Sequence, residues 1–106
     1  MNGQTTMSSI PDLFDENRKR LVLIVEDEYV NRELLNAYLE NDYELLFAET
    51  GEEALETVRA RSETLSLVLL DLILPDVNGL EVLRIIKQDS ELARIPVIVL
   101  TSDTES

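Results

Sequence analysis

Leu21-Val22-Leu23-Ile24-Val25-Glu26-Asp27-Glu28 is the stretch that decides the fold. An unbroken apolar, β-branched run from Leu21 to Val25 does not alternate as a half-solvated strand does. It suits a strand buried on both faces. Downstream, Val30, Leu34, Leu35, Tyr38 and Leu39 recur at helical spacing, and Tyr43 to Ala48 reads as a second strand. Thr50 followed by Glu53 is a capping-box signature; Ala54, Leu55 and Val58 then follow at helical spacing. Arg59 and Arg61 sit near that helix's end, where cations suit the dipole. Leu67 to Leu70 reads as a third strand. Asn78-Gly79 turns into a third helix with Leu80, Leu83 and Ile86 on one face. Pro96 favours an extended Ile95, and Val97 to Leu100 reads as a fourth strand. The order β-α-β-α-β-α-β predicts an α/β fold with a parallel sheet. Right-handed crossovers then place helices on both faces. Upstream, residues 1–20 read as a polar tail. Ser9 before Pro11 suits the start of a short helix carrying Leu13 and Phe14, and a disordered tail fits equally.

At 106 residues the chain has the size of one domain and can bury roughly 60–70% of its unfolded surface. It has no Cys and no His. That excludes disulfides, thiolate or imidazole metal sites, and His-based catalysis from within the chain. Any metal site must be built from oxygen, which points to Mg²⁺, Ca²⁺ or Mn²⁺. The net charge of −13 disfavours direct contact with nucleic acid or anionic membranes. Residues 1–9 lack the apolar core of a signal peptide, and the longest apolar runs, about five residues, fall far short of a membrane span. A cytoplasmic protein is the expectation.

In a parallel sheet all C-terminal strand ends share one rim, and ligands bind there. Strand one ends in Glu26-Asp27-Glu28, strand three in Asp71, and strand four in Thr101-Ser102. Two unit charges about 4 Å apart repel by roughly 4 kcal/mol at an effective dielectric near 20, so clustered carboxylates call for a divalent cation. Two carboxylates, a carbonyl and waters suit octahedral Mg²⁺. The competing reading is that acids simply follow strands, with Asp27 capping the first helix.

These residues resemble the receiver domains of two-component response regulators. The resemblance rests on Glu26-Asp27, on Asp71 within Leu69-Leu70-Asp71-Leu72-Ile73-Leu74-Pro75-Asp76-Val77-Asn78-Gly79, and on Val99-Leu100-Thr101-Ser102. Three motifs in order, each at a strand end, make it specific, and it covers residues 21–106. It implies a flavodoxin-like doubly wound parallel sheet of order 2-1-3-4-5, of which this chain holds the (βα)3β portion of a (βα)5 fold. It implies that Asp71 is the phosphoacceptor. It further implies Asp27, Asp71 and the Ile73 backbone carbonyl as Mg²⁺ ligands, with Glu26 close by. Thr101 is then the switch hydroxyl, and the Ser102 N–H a further phosphoryl contact. The partners implied are a histidine kinase or phosphotransfer protein and an output domain or effector outside this chain.

The family pattern continues with a fourth helix, a fifth strand preceded by a lysine, and a fifth helix. None of these is present before Ser106, and Lys19 and Lys87, the chain's lysines, are expected away from the rim. A bare Val97–Leu100 edge predicts self-association, for example as a homodimer. The alternative function is a receiver-like, non-catalytic interaction module. An aspartyl phosphohydrolase fits poorly, because Ile73 occupies the position of its second acid. A nucleotide or flavin site fits poorly too, because no Gly-rich loop follows strand one. Tyr29, Tyr38 and Tyr43 are expected to pack, and Arg32 and Arg84 to be solvated.

Overall fold

Four parallel strands and three helices alternate along the chain in the computed structural model, which describes residues 19–100. They are β1 (Arg20–Val25), α1 (Tyr29–Leu39), β2 (Tyr43–Ala48), α2 (Gly51–Ala60), β3 (Leu65–Asp71), α3 (Gly79–Gln88) and β4 (Val97–Leu100). The strand order is β2-β1-β3-β4, the four-strand part of the expected flavodoxin-like sheet. The proposed tail helix around Leu13 and Phe14, as well as Thr101 and Ser102, lie outside the described residues.

The direction of strand addition reverses at β1: β2 lies to one side, and β3 and β4 to the other. With right-handed crossovers, that reversal sends α1 to one face of the sheet and α2 and α3 to the opposite face. The core divides accordingly. Leu21, Leu23 and Val25 join Val68 and Leu70 beneath Ala54 and Val58 of α2 and Val82 and Ile86 of α3. Val22, Ile24 and Leu69 face Leu35 and Leu39 of α1. The β1 residues Leu21 to Val25 are therefore buried whichever way they point, which is why the run shows no alternation. β3 is longer than the Leu67–Leu70 run suggested. Its register against β1 shifts between Leu21↔Leu65 and Val22↔Leu67, so Ser66 is an extra residue. Leu65 thereby reaches the same core as Val68 and Leu70.

Two helix faces differ from the sequence reading. In α3 the buried residues are Gly79, Val82 and Ile86. Leu83 packs partly, while Leu80, expected to face inward, is 53% exposed. The helix is rotated because Gly79 seats directly against the backbone at the end of β3. In α1 no residue is fully buried. Leu35 and Leu39 meet the sheet, whereas Val30, Leu34 and Tyr38 are exposed, because α1 has no neighbouring helix on its face among the described residues. Tyr43 packs as expected; Tyr29 and Tyr38 do not.

Both lysines lie at the edge opposite the rim. Lys19 Nζ donates to the Glu40 carbonyl at the foot of α1 at 3.0 Å. Lys87 Nζ donates to the carbonyls of Ala93 at 3.0 Å and Ile95 at 2.9 Å, where a cation suits a helix C-terminus.

Candidate functional site

The reversal at β1 opens a switch point between the ends of β1 and β3, where open α/β sheets bind ligands. Val25 pairs with Leu70, so the next residues, Glu26 and Asp71, emerge side by side. Asp27 joins them: one ligand oxygen from each of Glu26, Asp27 and Asp71 lies within 4.8 Å of the others. Glu26 and Asp71 are buried, at 4% and 6% exposure, and Asp27 is exposed. Asp27 does not cap α1. The cap position belongs to Glu28, whose side chain makes no capping bond.

One oxygen of each buried carboxylate is held by a backbone N–H close by in sequence. Glu28 N–H donates to Glu26 Oε2, and Ile73 N–H donates to Asp71 Oδ1, each at 3.0 Å. Burial raises the Glu26 carboxyl above its ordinary value, and the charge of Asp71 raises it further; the Glu28 N–H and the Asn31 side chain pull the other way. A hard divalent cation reverses both upward effects, and an all-oxygen donor set suits such an ion. The residues present therefore fit a metal. An open cleft of about 250 Å³, lined by Glu26, Asn31, Leu34, Leu35, Tyr38, Asp71 and Leu100, leads to the cluster along α1.

Because the folded state raises the Glu26 value, it holds that proton more tightly than the unfolded chain. The associated stability is present at pH below 4.5 and lost as pH rises from there through the folded value. Glu26→Gln keeps an acceptor for the Glu28 N–H and removes the buried charge. In metal-free buffer it is expected to melt higher than wild type at neutral pH and to show a flatter pH profile. Parallel melting curves for the two proteins from pH 4 to pH 7 would contradict this.

The loop after Asp71 folds back on itself. Ile73 bridges Asn78 antiparallel, Gly79 N–H donates to the Leu72 carbonyl at 2.8 Å, and the Asn78 side chain caps α3 through the Leu80 N–H at 2.8 Å. The Ile73 side chain itself is exposed. On β4, Leu100, the residue before Thr101, pairs with Asp71; Thr101 itself lies outside the described residues.

Sequence reasoning missed two residues beside the site. Arg32, expected to be solvated, is only 16% exposed in its side chain and lies 3.6 Å from Glu49. It also donates to the Glu26 carbonyl at 3.2 Å, and its guanidinium stands 5.8 Å from the centre of the Tyr29 ring, within cation–π range. It thus braces the turn that carries Glu26 and Asp27. Arg84, by contrast, is on the surface as expected, paired with Glu81. The second is Asp76, whose carboxylate reaches across to the start of α2. An Asp in a loop reads as an ordinary turn residue, so spacing carries no signal of that reach.

Comparison with known proteins agrees with this architecture. The family model of the response regulator receiver domain matches residues 22–106. A relative named histidine kinase P4, from Formosa agariphila, is 40% identical over 94 residues, 89% of this chain and 7% of the kinase. The polar-differentiation response regulator DivK of Brucella ovis is 43% identical over 82 residues, 76% of this chain and 65% of DivK. The chain therefore spans less than two thirds of the length of either relative. Among solved structures, the phosphorylated cyanobacterial phytochrome response regulator RcpA matches with TM-score 0.76 at 34% identity, covering 83% of this chain and 69% of its own. The Mn²⁺-bound form of response regulator Rcp1 matches with TM-score 0.72 at 36% identity, covering 82% and 68%. With its sheet order, its acidic switch point and these matches, the chain belongs to the response regulator receiver domain family.

Proposed function

We propose that this domain accepts a phosphoryl group on Asp71, with Mg²⁺ held by Asp27, Asp71 and the Ile73 backbone carbonyl, and with Glu26 close by through water. The convergence of Glu26, Asp27 and Asp71 within 4.8 Å on one rim is the observation that carries this reading. The Mn²⁺-bound state of Rcp1 and the phosphorylated state of RcpA, both similar to this chain, support it. When bound, Mg²⁺ neutralises charge on the attacking carboxylate and on the phosphoryl oxygens. The chain supplies position. Its Ile73 N–H orients the Asp71 carboxylate, and the strand end fixes the line of attack. An Asp71 oxygen forms the new O–P bond as the P–N bond to a donor imidazole breaks, and the imidazole leaves with the electron pair. The chain has no His, so the donor imidazole lies outside these 106 residues, on a histidine kinase or phosphotransfer protein. Thr101 then donates its hydroxyl to the new phosphoryl oxygens, and the Ser102 N–H adds a contact. This biases the surface read by an output domain or effector, or by a second copy of the chain. The site of action is the cytoplasm; no described helix is long and apolar enough to cross a membrane.

Calorimetric titration with Mg²⁺ tests the reading. Wild type is expected to bind, and Asp27→Ala and Asp71→Ala to lose more than the roughly 10–100-fold that an outer-shell change costs. Equal affinity in all three proteins would sink the assignment. The alternative is a receiver-like interaction module without phosphotransfer. A module of that kind shows no change in shape or association on adding Mg²⁺ with a phosphoryl mimic such as beryllofluoride.

A further inference from the structure

Asp76 lies outside the acidic cluster, yet it joins the loop that leaves Asp71 to a different helix. Its Oδ1 accepts the Gly51 N–H at 2.8 Å and its Oδ2 the Glu52 N–H at 3.0 Å, across 25 and 24 residues of sequence. Thr50 Oγ1 takes the next N–H, that of Glu53, at 3.0 Å. The opening N–H groups of α2 are thus shared between a local cap and a distant one. These two helix N–H groups are also the leading reason that the Asp76 carboxyl lies below its ordinary value. A second contact runs alongside: a Cβ at Gly51 would overlap Val77 Cγ2, so the loop seats its Val77 where α2 carries no side chain. On its inner side the same loop holds Asp71 through the Ile73 N–H and is pinned by Gly79 N–H to the Leu72 carbonyl.

We propose that Asp76 is a positioning residue for the metal site: by latching the loop onto α2, it fixes where the Ile73 N–H and carbonyl stand relative to Asp71, and so sets divalent-cation affinity. The proposal rests on the reading of Ile73 as a ligand. A helix needs only its own cap to begin, and Thr50 supplies one. Two further bonds from a distant carboxylate do something a local cap cannot, which is to make the loop and α2 move as one body. A ligand carbonyl on an untethered loop samples positions that do not bind, and affinity falls by the fraction of time spent in them. Outer-shell groups that orient metal ligands carry about 10–100-fold in affinity.

The test is Mg²⁺ and Mn²⁺ calorimetry on the full chain, with thermal melts of the same samples. Asp76→Ala is expected to weaken binding about tenfold. Asp76→Asn is expected to recover part of the loss, because its amide oxygen accepts one of the two helix N–H groups while its NH₂ cannot accept the other. Thr50→Ala removes a cap from the same helix without touching the loop. It is expected to lower the melting temperature and leave both affinities within about twofold of wild type, because the two Asp76 bonds to the Gly51 and Glu52 N–H groups stay in place. An Asp76→Ala protein that melts earlier but binds as wild type does would show a helix cap and nothing more. Equal weakening by Thr50→Ala would overturn the latch as well, since affinity would then follow general stability. No binding by wild type would instead overturn the metal reading itself, and the latch with it.

Discussion

Asp71→Asn is expected to reduce labelling by a small acyl phosphate and Mg²⁺ to the level of a protein-free control. Wild type is expected to gain phosphate that is labile in base and released by hydroxylamine, as an acyl phosphate is. An amide oxygen still accepts the Ile73 N–H that now meets Asp71 Oδ1 at 3.0 Å, so the loop keeps its anchor while the nucleophile is lost. The same substitution removes one of two buried charges at the strand ends, Glu26 and Asp71. Like charges about 4–5 Å apart cost roughly 3–4 kcal/mol at an effective dielectric near 20. Without metal, Asp71→Asn is therefore expected to melt above wild type, and Mg²⁺ is expected to raise its melting temperature little. Lost labelling together with raised metal-free stability separates removal of a nucleophile from misfolding. Wild-type labelling in Asp71→Asn would refute the assignment, and mass mapping would then place the phosphate elsewhere.

Gly79→Ala is expected to be the most damaging single-methyl change in the domain. At an exposed position within a helix, Ala is normally better than Gly by roughly 0.5–1 kcal/mol. Here a Cβ would stand 2.5 Å from the Asp71 carbonyl oxygen and 2.6 Å from Leu72 Cα. Both are backbone atoms of the strand end that carries the phosphoacceptor, so no rotamer change makes room. The start of α3 must move away, which strains or breaks the 2.8 Å bond from Gly79 N–H to the Leu72 carbonyl. Overpacking of this kind costs about 1–3 kcal/mol, and the hydrogen bond adds about 0.5–1.5 kcal/mol. Gly51→Ala meets side-chain methyls of Val77 and Val82 instead. Those can turn or shift, so its cost is expected to be smaller. Urea unfolding midpoints are expected to fall in the order wild type, Gly51→Ala, Gly79→Ala. A Gly79→Ala protein as stable as wild type would show that α3 has room to slide.

Local chemistry alone determined a large part of this protein. An unalternating run such as Leu21 to Val25 has one economical use, a strand covered on both sides, and the acids that follow it cannot enter that core. Thr50 and Glu53 announced the start of α2, although the reciprocal bond goes from the Glu49 N–H to Glu53 at 2.7 Å rather than from Thr50. The order of strands and helices, with acids at two strand ends, was enough to bring Glu26, Asp27 and Asp71 to one rim. Tertiary structure decided what depends on distant pairing. Periodicity reports how side chains repeat along one backbone; it does not report which neighbour that backbone meets. Leu80 and Tyr38 fit an apolar stripe as well as Ile86 and Leu39 do, and the seating of Gly79 and the lack of a helix beside α1 among the described residues turn them outward. The extra residue at Ser66 appears only once β3 is paired with β1. The approach of Arg32 to Glu49 and the reach of Asp76 to α2 exist because the crossovers carry separate segments to the same edge of the sheet. Such bonds join residues whose proximity no local spacing encodes.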